Sequence, residues 1–517
     1  MRIADYFDGV AARQPTHPAL VEDDLVIDFA QAQRFVHAAA HALQAEPDLA
    51  PGAHIALYAP NHLRVPLLLL AINRADMVWL SAHTRNPVNV NIEVLAHMDC
   101  EFVFFHSSYE SVIPELQHGL PKTRRFVCID RESEHGISLD TWMAGHWKPF
   151  HAQPEDPNAA CFLQPTGGTT GPSKAALHTH RAMEISALSG ITAYRKSPST
   201  RHLAVAPLTH AGGISALHTL VAGGAVVVMN MSDPAQVFDQ IERHRITSIF
   251  VPPTLMYMLM AHPRAKTSDF SSLKVFLTGA APVSPEKYKE AVSLFGPVVY
   301  EGYGQTECFM PLAVKAPEDY LLPDGGFDEA VLRSTGRAVP TVRLEIMDPD
   351  GNILPPGERG EIVVQSSMVM REYYKKPQET LEIARFGWRH TGDVGIKDAR
   401  GYITIVDRLK DMIVSGGFNI YPAQIESVIQ SHPAVLDCAV VGVPDDKWGE
   451  AVKAVVQLKP GQQVSAEELA ALCREKLGGV YAPKSVEFWD DLPRSAVGKL
   501  LRREVREKFW RNEWRSI

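Results

Sequence analysis

A run rich in glycine, threonine and serine, Gln164 to Lys174, is the first part of the chain that could do chemistry. Glycines let the main chain curl and turn its N–H groups toward an anion, and the hydroxyls and the lysine add charge-assisted donors. This composition suits a polyphosphate cradle. The spacing does not match the Walker loop, G-x-x-x-x-G-K-[ST], and the segment by itself is equally compatible with an ordinary surface loop.

Three later segments place further polar residues at turns. Tyr303 to Glu307 follows a strand-like run, and Glu307 offers the hard oxygen ligand that Mg²⁺ prefers. In Thr391-Gly392-Asp393 the carboxylate could bind a ribose diol, and Lys499 lies beside a glycine in a loop near the C-terminus. Each segment taken alone is more typical of a strand-end turn, a solvated carboxylate or a surface lysine.

Short β-branched or aromatic runs, separated by helical patterns, must position these residues. Because the runs are continuously apolar, they indicate parallel sheets covered on both faces by helices. From about residue 331 the strands are instead separated by Pro/Gly turns, and a separate α+β unit follows, whose polar helix has a capping-box signature at Ser465 and Glu468. The runs that predict strands of the parallel sheets are Ile55–Tyr58, Phe102–Phe105, Phe126–Ile129, Ala225–Met229, Ser248–Val251 and Val275–Leu277.

The expected fold class is therefore α/β, with two domains. A large N-terminal domain of parallel α/β sheets covers residues 1–407 and includes a small β subdomain at about 331–407. A small α+β domain covers residues 408–517, and the boundary lies near Asp407–Asp411.

Composition and charge exclude several classes of protein. With 45% hydrophobic residues the chain is too apolar to be disordered, and its net charge of −9 offers no global field for nucleic acid or an anionic membrane. The six cysteines are scattered without a C-x-x-C pair, which favours a reducing cytoplasm over a disulfide framework or a thiolate zinc site. The start of the chain lacks the apolar core of a signal peptide. The most apolar segment, 213–228, contains Gly223-Gly224 and predicts a helix, a turn and a buried strand rather than a membrane span.

Taken together and in order, five segments resemble the adenylate-forming superfamily of acyl-CoA synthetases, nonribosomal peptide synthetase adenylation domains and luciferases. Among these the chain looks most like the 4-coumarate- and benzoate-CoA ligases. The resemblance extends from about Tyr6 to Arg503. It implies an AMP-forming acid–thiol ligase that uses ATP, Mg²⁺ and coenzyme A. The five segments are Thr166–Lys174, Tyr303–Glu307, Thr391–Asp393, Asp407–Glu426 and Pro493–Arg502.

The resemblance also implies roles for single residues. Thr169 and Thr170 would donate to the β- and γ-phosphates, and Glu307 with Thr170 would hold Mg²⁺. Thr306 would contact the α-phosphate, and Tyr303 would pack on adenine. Lys499 would bridge the substrate carboxylate and the α-phosphate and stabilise negative charge during transfer. The remaining ATP- and AMP-binding residues would be Thr166, Gly168, Gly171, Lys174, Ala280, Glu301, Gly302 and Gly304, with Asp393 and Arg408 on the ribose.

Two half-reactions require two arrangements of the small domain in this superfamily. Lys410 falls at the hinge position, where one residue must absorb a large backbone change. Rotation would exchange the Lys499 loop for the face that carries Ser415, Gly416 and Gly417, whose small size lets a hairpin approach the thiol of coenzyme A.

The acyl pocket is expected to be neutral. The stretches 207–213, 278–282 and 308–310 hold no Arg or Lys, so a second substrate carboxylate would be buried without a strong partner. An apolar monocarboxylate, aromatic or medium-chain, is the predicted substrate, and the glycines of these stretches, with Ala280, are expected to leave room for it. The predicted acyl-site residues are His210, Gly212, Gly279, Ala281 and Cys308.

Departures from the pattern leave alternatives open. Gly167 stands where serine is common, and Gln424 replaces a usual glutamate, but neither change removes an essential charge. The acyl group could pass to a carrier-protein phosphopantetheine instead of coenzyme A, while a luciferase-like oxidation, which shares every motif, is less favoured. A non-catalytic adenylate-binding protein would need none of the charges at Glu307, Asp393, Arg408 and Lys499. The expected partners are small molecules only, without nucleic acid, in a monomer or homodimer.

Overall fold

Four sheets and the helices between them form the chain in the computed structural model, which describes residues 1–151, 156–166, 174–230, 233–281, 283–415, 418–445, 448–494 and 500–510. The strands are, in chain order, β1 (Pro18–Glu22), β2 (Leu25–Asp28), β3 (His54–Tyr58), β4 (Val78–Ser81), β5 (Phe102–Phe105), β6 (Arg125–Cys128), β7 (Ile137–Ser138), β8 (Ala160–Pro165), β9 (Ala175–Thr179), β10 (Arg201–Ala204), β11 (Ala225–Val228), β12 (Ser248–Val251), β13 (Val275–Gly279), β14 (Val299–Gln305), β15 (Cys308–Lys315), β16 (Arg337–Ala338), β17 (Arg343–Met347), β18 (Arg359–Gln365), β19 (Glu372–Tyr373), β20 (Ala384–Arg385), β21 (Trp388–Lys397), β22 (Ile403–Arg408), β23 (Ile413–Ser415), β24 (Phe418–Ile420), β25 (Val435–Asp445), β26 (Gly449–Leu458) and β27 (Ser485–Phe488).

The helices alternate with the strands in the first 300 residues and become sparse beyond them. In chain order they are α1 (Ile3–Arg13), α2 (Phe29–Ala45), α3 (Arg64–Arg74), α4 (Val88–His97), α5 (Ile113–Gly119), α6 (Leu139–Trp142), α7 (His180–Ala193), α8 (Ala211–Val221), α9 (Ala235–Arg243), α10 (Pro253–Ala261), α11 (Pro285–Phe295), α12 (Pro317–Tyr320), α13 (Glu329–Leu332), α14 (Pro377–Glu382), α15 (Pro422–Gln430), α16 (Ala466–Leu477) and α17 (Arg502–Trp510), with short 3₁₀ turns at Ser107–Val112, Pro263–Lys266 and Leu409–Asp411. Among the helices within the described residues, none is long and apolar enough to cross a bilayer.

Two large sheets carry the parallel strands that the apolar runs predict. The nine-stranded sheet has the order β16-β15-β14-β13-β12-β10-β11-β1-β2, and the eight-stranded sheet has the order β19-β9-β8-β4-β3-β5-β6-β7. Their central neighbours are parallel, and strands such as β11 and β12 are buried along their whole length. This confirms the predicted α/β class.

Two smaller sheets follow. Strands β17, β18, β21 and β20, with β22 beside β21, form the antiparallel sheet expected after residue 331. The last sheet, β24-β23-β26-β25 with β27, packs against α15 and α16. The Ser465 hydroxyl accepts the Glu468 main-chain N–H at 3.1 Å at the start of α16, as the capping signature indicates. The large α/β and small C-terminal parts are as expected, while the exact division at residue 407 stays a prediction.

The carboxyl ends of strands from both large sheets meet at one place. Trp79 of β4 stacks on Phe162 of β8 with ring centroids 4.0 Å apart, within a core that also takes residues from the nine-stranded sheet. At the end of β4, the Ser81 hydroxyl donates to the Thr209 carbonyl, 2.6 Å away in the loop before α8. In open parallel sheets, ligands bind outside the carboxyl ends of the strands, so this junction is where a site is expected.

Candidate functional site

Asp393 on β21 is the centre of a hydrogen-bonded cluster. Its carboxylate accepts from the Tyr303 hydroxyl at 2.6 Å and from the Gln305 amide at 2.5 Å, and Arg408 Nε lies 3.2 Å from its other oxygen. Tyr303 and Asp393 are buried, and burial together with the Asp393 carboxylate raises the pKa of Tyr303 well above its usual range. Three of the predicted nucleotide residues, Tyr303, Asp393 and Arg408, are therefore brought into contact.

Glu307 stands at the tip of the hairpin that joins β14 to β15. Gln305 pairs with Cys308, so Thr306 and Glu307 form a two-residue turn beyond the sheet. The Glu307 carboxylate accepts one hydrogen bond, 2.6 Å from the Tyr373 hydroxyl, and within the described ranges no cation forms an ion pair with it. A carboxylate left in this state at a hairpin tip can take a hard divalent cation.

The ends of the predicted phosphate loop are held by the sheet. Strands β8 and β9 are antiparallel neighbours, and the Thr166 main-chain N–H donates to the Lys174 carbonyl at 2.7 Å. The Lys174 ammonium lies 4.9 Å from the centre of the Tyr373 ring. Tyr373 thus touches both Lys174 and Glu307, which brings the loop base and the hairpin tip together.

Arg389 on β21 lies next to this turn. Its Nη2 atom donates to the Met370 carbonyl at 3.3 Å, whereas Nε and Nη1 are buried and find no hydrogen-bond partner in the part of the chain that the structure describes. Burial lowers the pKa of Arg389, and the negative charge of Glu307 opposes that effect. His178 lies on the other side of the turn, 2.7 Å from the Thr306 carbonyl, and burial lowers its pKa to about 4.

Glu301 forms an ion pair in the core. Its carboxylate lies 2.7 Å from the ammonium of Lys315, the residue directly opposite on β15. Lys315 has no exposed surface and also donates to the carbonyls of Leu332 and Ser334. The side chain of Glu301 therefore links β14 to β15. Its predicted place at the adenine edge stays a prediction.

Glycines on β13 and β14 permit a close approach of main chains. A Cβ atom at Gly279 would lie 2.4 Å from the Gly302 carbonyl oxygen, and one at Gly302 would lie 2.6 Å from the Tyr194 hydroxyl. A Cβ at Gly304 would meet Met310. Ala280, just after β13, has φ +69°, the left-handed conformation that side chains rarely adopt. Strained backbone of this kind clusters at ligand sites.

The acyl side is neutral and closely packed. Burial lowers the pKa of His210 to about 3 and raises that of the buried Cys308 thiol to about 12, so both are uncharged near pH 7. A Cβ at Gly212 would lie 2.5 Å from the Ala206 carbonyl oxygen, and one at Gly213 would lie 2.0 Å from that of Leu208. These two glycines, like Gly279, permit close main-chain packing, and their predicted place beside the acyl group stays a prediction. Ala281, half-buried after β13, and the other predicted acyl residues stay candidates for lining the pocket.

The remaining predicted residues fall at or outside the described ranges. Ser415 ends β23 and is 8% exposed, and Lys410 lies in the 3₁₀ turn Leu409–Asp411 after β22. The predicted roles of both residues stay predictions. The predictions for Gly168, Thr169, Thr170, Gly171, Gly416, Gly417 and Lys499 concern residues outside those that the structure describes.

Sequence reasoning missed three residues that lie close to predicted site residues. Gln305 lies inside the Tyr303–Glu307 segment, so its position could have signalled its bond to Asp393. Tyr373 donates to Glu307, and Arg389 lies near enough for the Glu307 charge to affect its pKa, although both are about 70 to 80 residues further along the chain. No local pattern marks either, because only the pairing of β19 and β21 with their neighbours brings them near.

Comparisons with known proteins agree with this geometry. Residues 7–374 match the family model "AMP-binding enzyme", and residues 424–499 match "AMP-binding enzyme C-terminal domain". Feruloyl-CoA synthase from an Amycolatopsis species is 34% identical over 513 residues, which covers 96% of this chain and 97% of that protein. A long-chain-fatty-acid–CoA ligase from Escherichia coli O6:H1 is 33% identical over 542 residues, covering 98% and 94%.

A solved structure extends the likeness to three dimensions. The amide bond synthetase McbA from Marinactinospora thermotolerans superposes with a TM-score of 0.88 at 30% identity, over 98% of this chain and 100% of that one. The first family model covers Tyr303 and Glu307, and the second covers β25, β26 and β27 of the small C-terminal sheet. The chain therefore belongs to the AMP-binding, adenylate-forming enzymes, and within them to the AMP-forming acid–thiol ligases.

Proposed function

We propose that this chain is an ATP-dependent carboxylic acid–CoA ligase. In the first half-reaction a carboxylate oxygen attacks the α-phosphorus of ATP, the bond to the β-phosphate oxygen breaks, and acyl-AMP and pyrophosphate form. In the second, the thiol sulfur of coenzyme A attacks the acyl carbon, loses its proton, and releases AMP as acyl-CoA forms. The substrate is an apolar monocarboxylate, aromatic or medium-chain.

The observation that carries the proposal is a pair of carboxylates near the C-terminal end of β14. They are Asp393, which β21 brings there, and Glu307 in the turn after β14. Asp393 is fixed by Tyr303, Gln305 and Arg408, so one side of the site presents an anchored acceptor suited to the hydroxyls of a ribose. Glu307 has one hydrogen bond and no ion pair within the described residues, so it is available to a cation that accompanies phosphates.

The residues present fit Mg²⁺ and ATP. Glu307 would hold the metal, with Thr170 as a second ligand implied by the family resemblance. When bound, Mg²⁺ supplies positive charge that screens the phosphates. The close approach of Gly279 to Gly302 leaves main chain at the expected adenine edge, and Lys174 adds a cation at the base of the phosphate loop. Lys499 would then meet the substrate carboxylate and the α-phosphate, while Lys410 and Ser415 would serve the hinge and the coenzyme A side.

The neutral acyl side supports the choice of acid. His210 and Cys308 are uncharged near pH 7, and the predicted acyl stretches contain no Arg or Lys. Burying a second carboxylate there would cost several kcal/mol, on the order of 2–7 kcal/mol even for a neutral polar group without a partner. We further propose a cytoplasmic enzyme, monomeric or homodimeric, whose partners are small molecules.

The test is AMP release from ATP and Mg²⁺, with and without coenzyme A, across benzoates, cinnamates and C4–C12 fatty acids. CoA-dependent turnover of one class is expected. Pyrophosphate exchange without CoA-dependent turnover would favour the carrier-protein acceptor, and no activity with any acid would overturn the proposal. Asp398→Asn, in an exposed turn beside Arg400, is the matched control for carboxylate substitutions at the site.

A further inference from the structure

His83 is a buried side chain held from several directions. It lies two residues beyond β4 and is 8% exposed. Its carbonyl accepts from the Asn91 amide at 3.0 Å and from the Asn86 main-chain N–H at 2.9 Å. Its ring nitrogen Nδ1 accepts from the Arg85 main-chain N–H at 3.3 Å. The main chain and the ring of His83 are therefore both fixed before any ligand binds.

These contacts determine where the ring carries its proton. Because Nδ1 accepts a hydrogen bond, the neutral ring holds its hydrogen on Nε2. Burial lowers the pKa of His83 to about 4, so the ring is neutral at physiological pH. Within the described part of the chain, Nε2 is buried without a hydrogen-bond partner. The ring is thus an oriented, uncharged N–H donor with no acceptor.

A buried donor without an acceptor is unusual in proteins. More than about 90% of buried polar groups find a partner, and an exception needs an explanation such as a ligand. An unpaired donor costs about 1–3 kcal/mol. His83 is surrounded by groups that fix its orientation, so it does not escape this cost by turning to another acceptor.

The neighbour of His83 places this donor at the acyl side. Its ring packs edge-on against the ring of His210, with centroids 4.6 Å apart. His210 is the predicted acyl-site histidine, and the Ser81–Thr209 hydrogen bond holds the two loops together. The His210 ring is also neutral, because burial lowers its pKa to about 3. The pair of rings therefore offers hydrogen bonding without charge.

We propose that the Nε2–H of His83 donates a hydrogen bond to a neutral oxygen of the acyl substrate, away from its carboxylate. The inference rests on the proposed acid–CoA ligase function and deepens it. The substrate class is a largely apolar monocarboxylate that carries one ether, hydroxyl or carbonyl oxygen. A neutral donor suits a neutral acceptor. His83 is then a residue that determines specificity.

Matched pairs of acids that differ only in an oxygen for a methylene test this. The pairs are 3- and 4-methoxycinnamate against 3- and 4-ethylcinnamate, and C8 alkanoates with and without one chain ether oxygen. Adenylation is measured by acid-dependent pyrophosphate exchange. The wild-type enzyme should prefer at least one oxygen-bearing acid by about 10- to 100-fold in kcat/KM, because the hydrocarbon leaves the donor unpaired.

Variants separate a specific contact from packing. His83→Phe should bring the ratio to about one by lowering kcat/KM for the oxygen-bearing acid alone, and His83→Gln, which keeps an amide donor, should restore part of it. His97→Phe is the control, since the ring of His97 on α4 also has a buried, unpaired Nε2 within the described residues but faces Tyr374. That variant should leave the ratio unchanged.

Three outcomes would overturn the proposal. They are a wild-type ratio near one for every pair, an equal loss for both acids of a pair in His83→Phe, and a loss confined to thioester formation from supplied acyl-AMP. If His83→Phe does not fold, the same kcat/KM ratio is measured in His83→Gln. A ratio between one and the wild-type value supports the proposal, and an equal loss for both acids contradicts it. Failure of the proposed function looks different, because the wild-type enzyme would then adenylate none of the acids.

Discussion

The two sides of the site treat polar groups in opposite ways. On the proposed nucleotide side, the two carboxylates have specific partners: Asp393 has three donors around it, and Glu307 has the Tyr373 hydroxyl. On the proposed acyl side, His83 and His210 are neutral, and His83 keeps an unpaired donor in the described structure. Carboxylates are at the centre of one side, and uncharged rings are at the centre of the other.

Two buried residues behind the proposed acyl side have lowered pKa values. Helix α8 begins next to His210, and the Lys196 ammonium donates to Thr219 of this helix at 2.7 Å. Burial lowers the pKa of Lys196 to about 7 and that of His218 to about 3. Lys315, by contrast, is buried beside Glu301 and two carbonyls in the sheet that carries Tyr303. Two lysines are thus buried in the part of the chain that the structure describes, one paired with a carboxylate and one without.

The contrast matches what each side must do. Oriented charges and donors stabilise the negative charge that develops during phosphoryl-group chemistry, and they need to be in place beforehand. Selection among acids depends on small differences in desolvation and hydrogen bonding, and one unpaired polar group decides more than several methylene groups. In a neutral pocket, these differences in desolvation and hydrogen bonding are not outweighed by attraction between charges.

Removing the charge of Lys499 should have the largest effect. Lys499→Ala should lower adenylation by about 10²–10³-fold, the scale measured for one oxyanion-stabilising donor. Thioester formation from supplied acyl-AMP should be spared, because the charge is needed only when carboxylate and phosphate meet. Pyrophosphate exchange and single-turnover thioester assays measure the two steps. An equal loss in both would contradict the role.

Asp393→Asn should cause the second-largest loss of activity. The substitution leaves Arg408 without its carboxylate and gives the Tyr303 hydroxyl a weaker acceptor. One charged hydrogen bond is worth about 1.5–3 kcal/mol, so kcat/KM for ATP should fall by about 10- to 100-fold. The KM for the acid should change little if the two sides are as separate as described. Parallel loss in Asp398→Asn would show that the effect is not local.

A double variant tests how closely β14 packs against the C-terminal end of α7. Gly302→Ala should destabilise the protein by about 1–3 kcal/mol, because its Cβ would lie 2.6 Å from the Tyr194 hydroxyl. Adding Tyr194→Phe should restore most of the loss, since this hydroxyl has no hydrogen-bond partner within the described residues. Gly279→Ala meets the Gly302 carbonyl instead, at 2.4 Å, and the same second substitution should not rescue it. Chemical denaturation measures all four proteins.

The smallest effect is expected at Lys196, which is buried without a carboxylate partner. It is a dependence of the free energy of unfolding on pH. The folded protein releases the proton of Lys196 near pH 7, whereas the unfolded chain keeps it to about 10.5. The unfolded state therefore binds more protons between these values, and the stability of the wild type rises with pH there. Lys196→Met should be more stable than the wild type below pH 7. The difference in the free energy of unfolding between the two proteins should then decrease by about 1 kcal/mol per pH unit from pH 7 to 9.

Lys315→Met is the matched control for that measurement. It leaves Glu301 buried without its partner, which should destabilise the protein by about 3–5 kcal/mol. Urea denaturation at pH 6, 7, 8 and 9 gives both curves. A gap for Lys196→Met that does not change with pH would contradict the lowered pKa of this lysine.

The sequence could predict elements whose signal is local. The buried strand Ser248–Val251 and the capped helix after Ser465 have the expected position, because continuous apolar runs and cap residues act over a few neighbours. Tyr303, Asp393 and Arg408 could be grouped because they lie in recognisable segments. Their contact with Gln305 depends on side-chain geometry at the end of a strand, which the segments do not encode.

The sequence was least informative where packing across the sheets decides. At Gly212, Gly213 and Gly279, main-chain carbonyls of the preceding loop or the neighbouring strand lie where a side chain would begin, which the sequence does not reveal. Strand pairing over long sequence separations brings Tyr373 into contact with Glu307 and Arg389 near it. The unpaired donor of His83 depends on one main-chain hydrogen bond to its ring. None of these has a periodicity or a motif.

The hydrogen bond between the Thr166 N–H and the Lys174 carbonyl has a practical consequence. It closes the base of the predicted phosphate loop between the neighbouring strands β8 and β9. The ends of the loop are therefore held by the sheet, whatever sequence lies between them. The entropy of closing a loop changes by only about 0.6 kcal/mol when its length doubles. Loop sequences from related enzymes can therefore be grafted between residues 166 and 174 to retune phosphate handling while the frame is left intact.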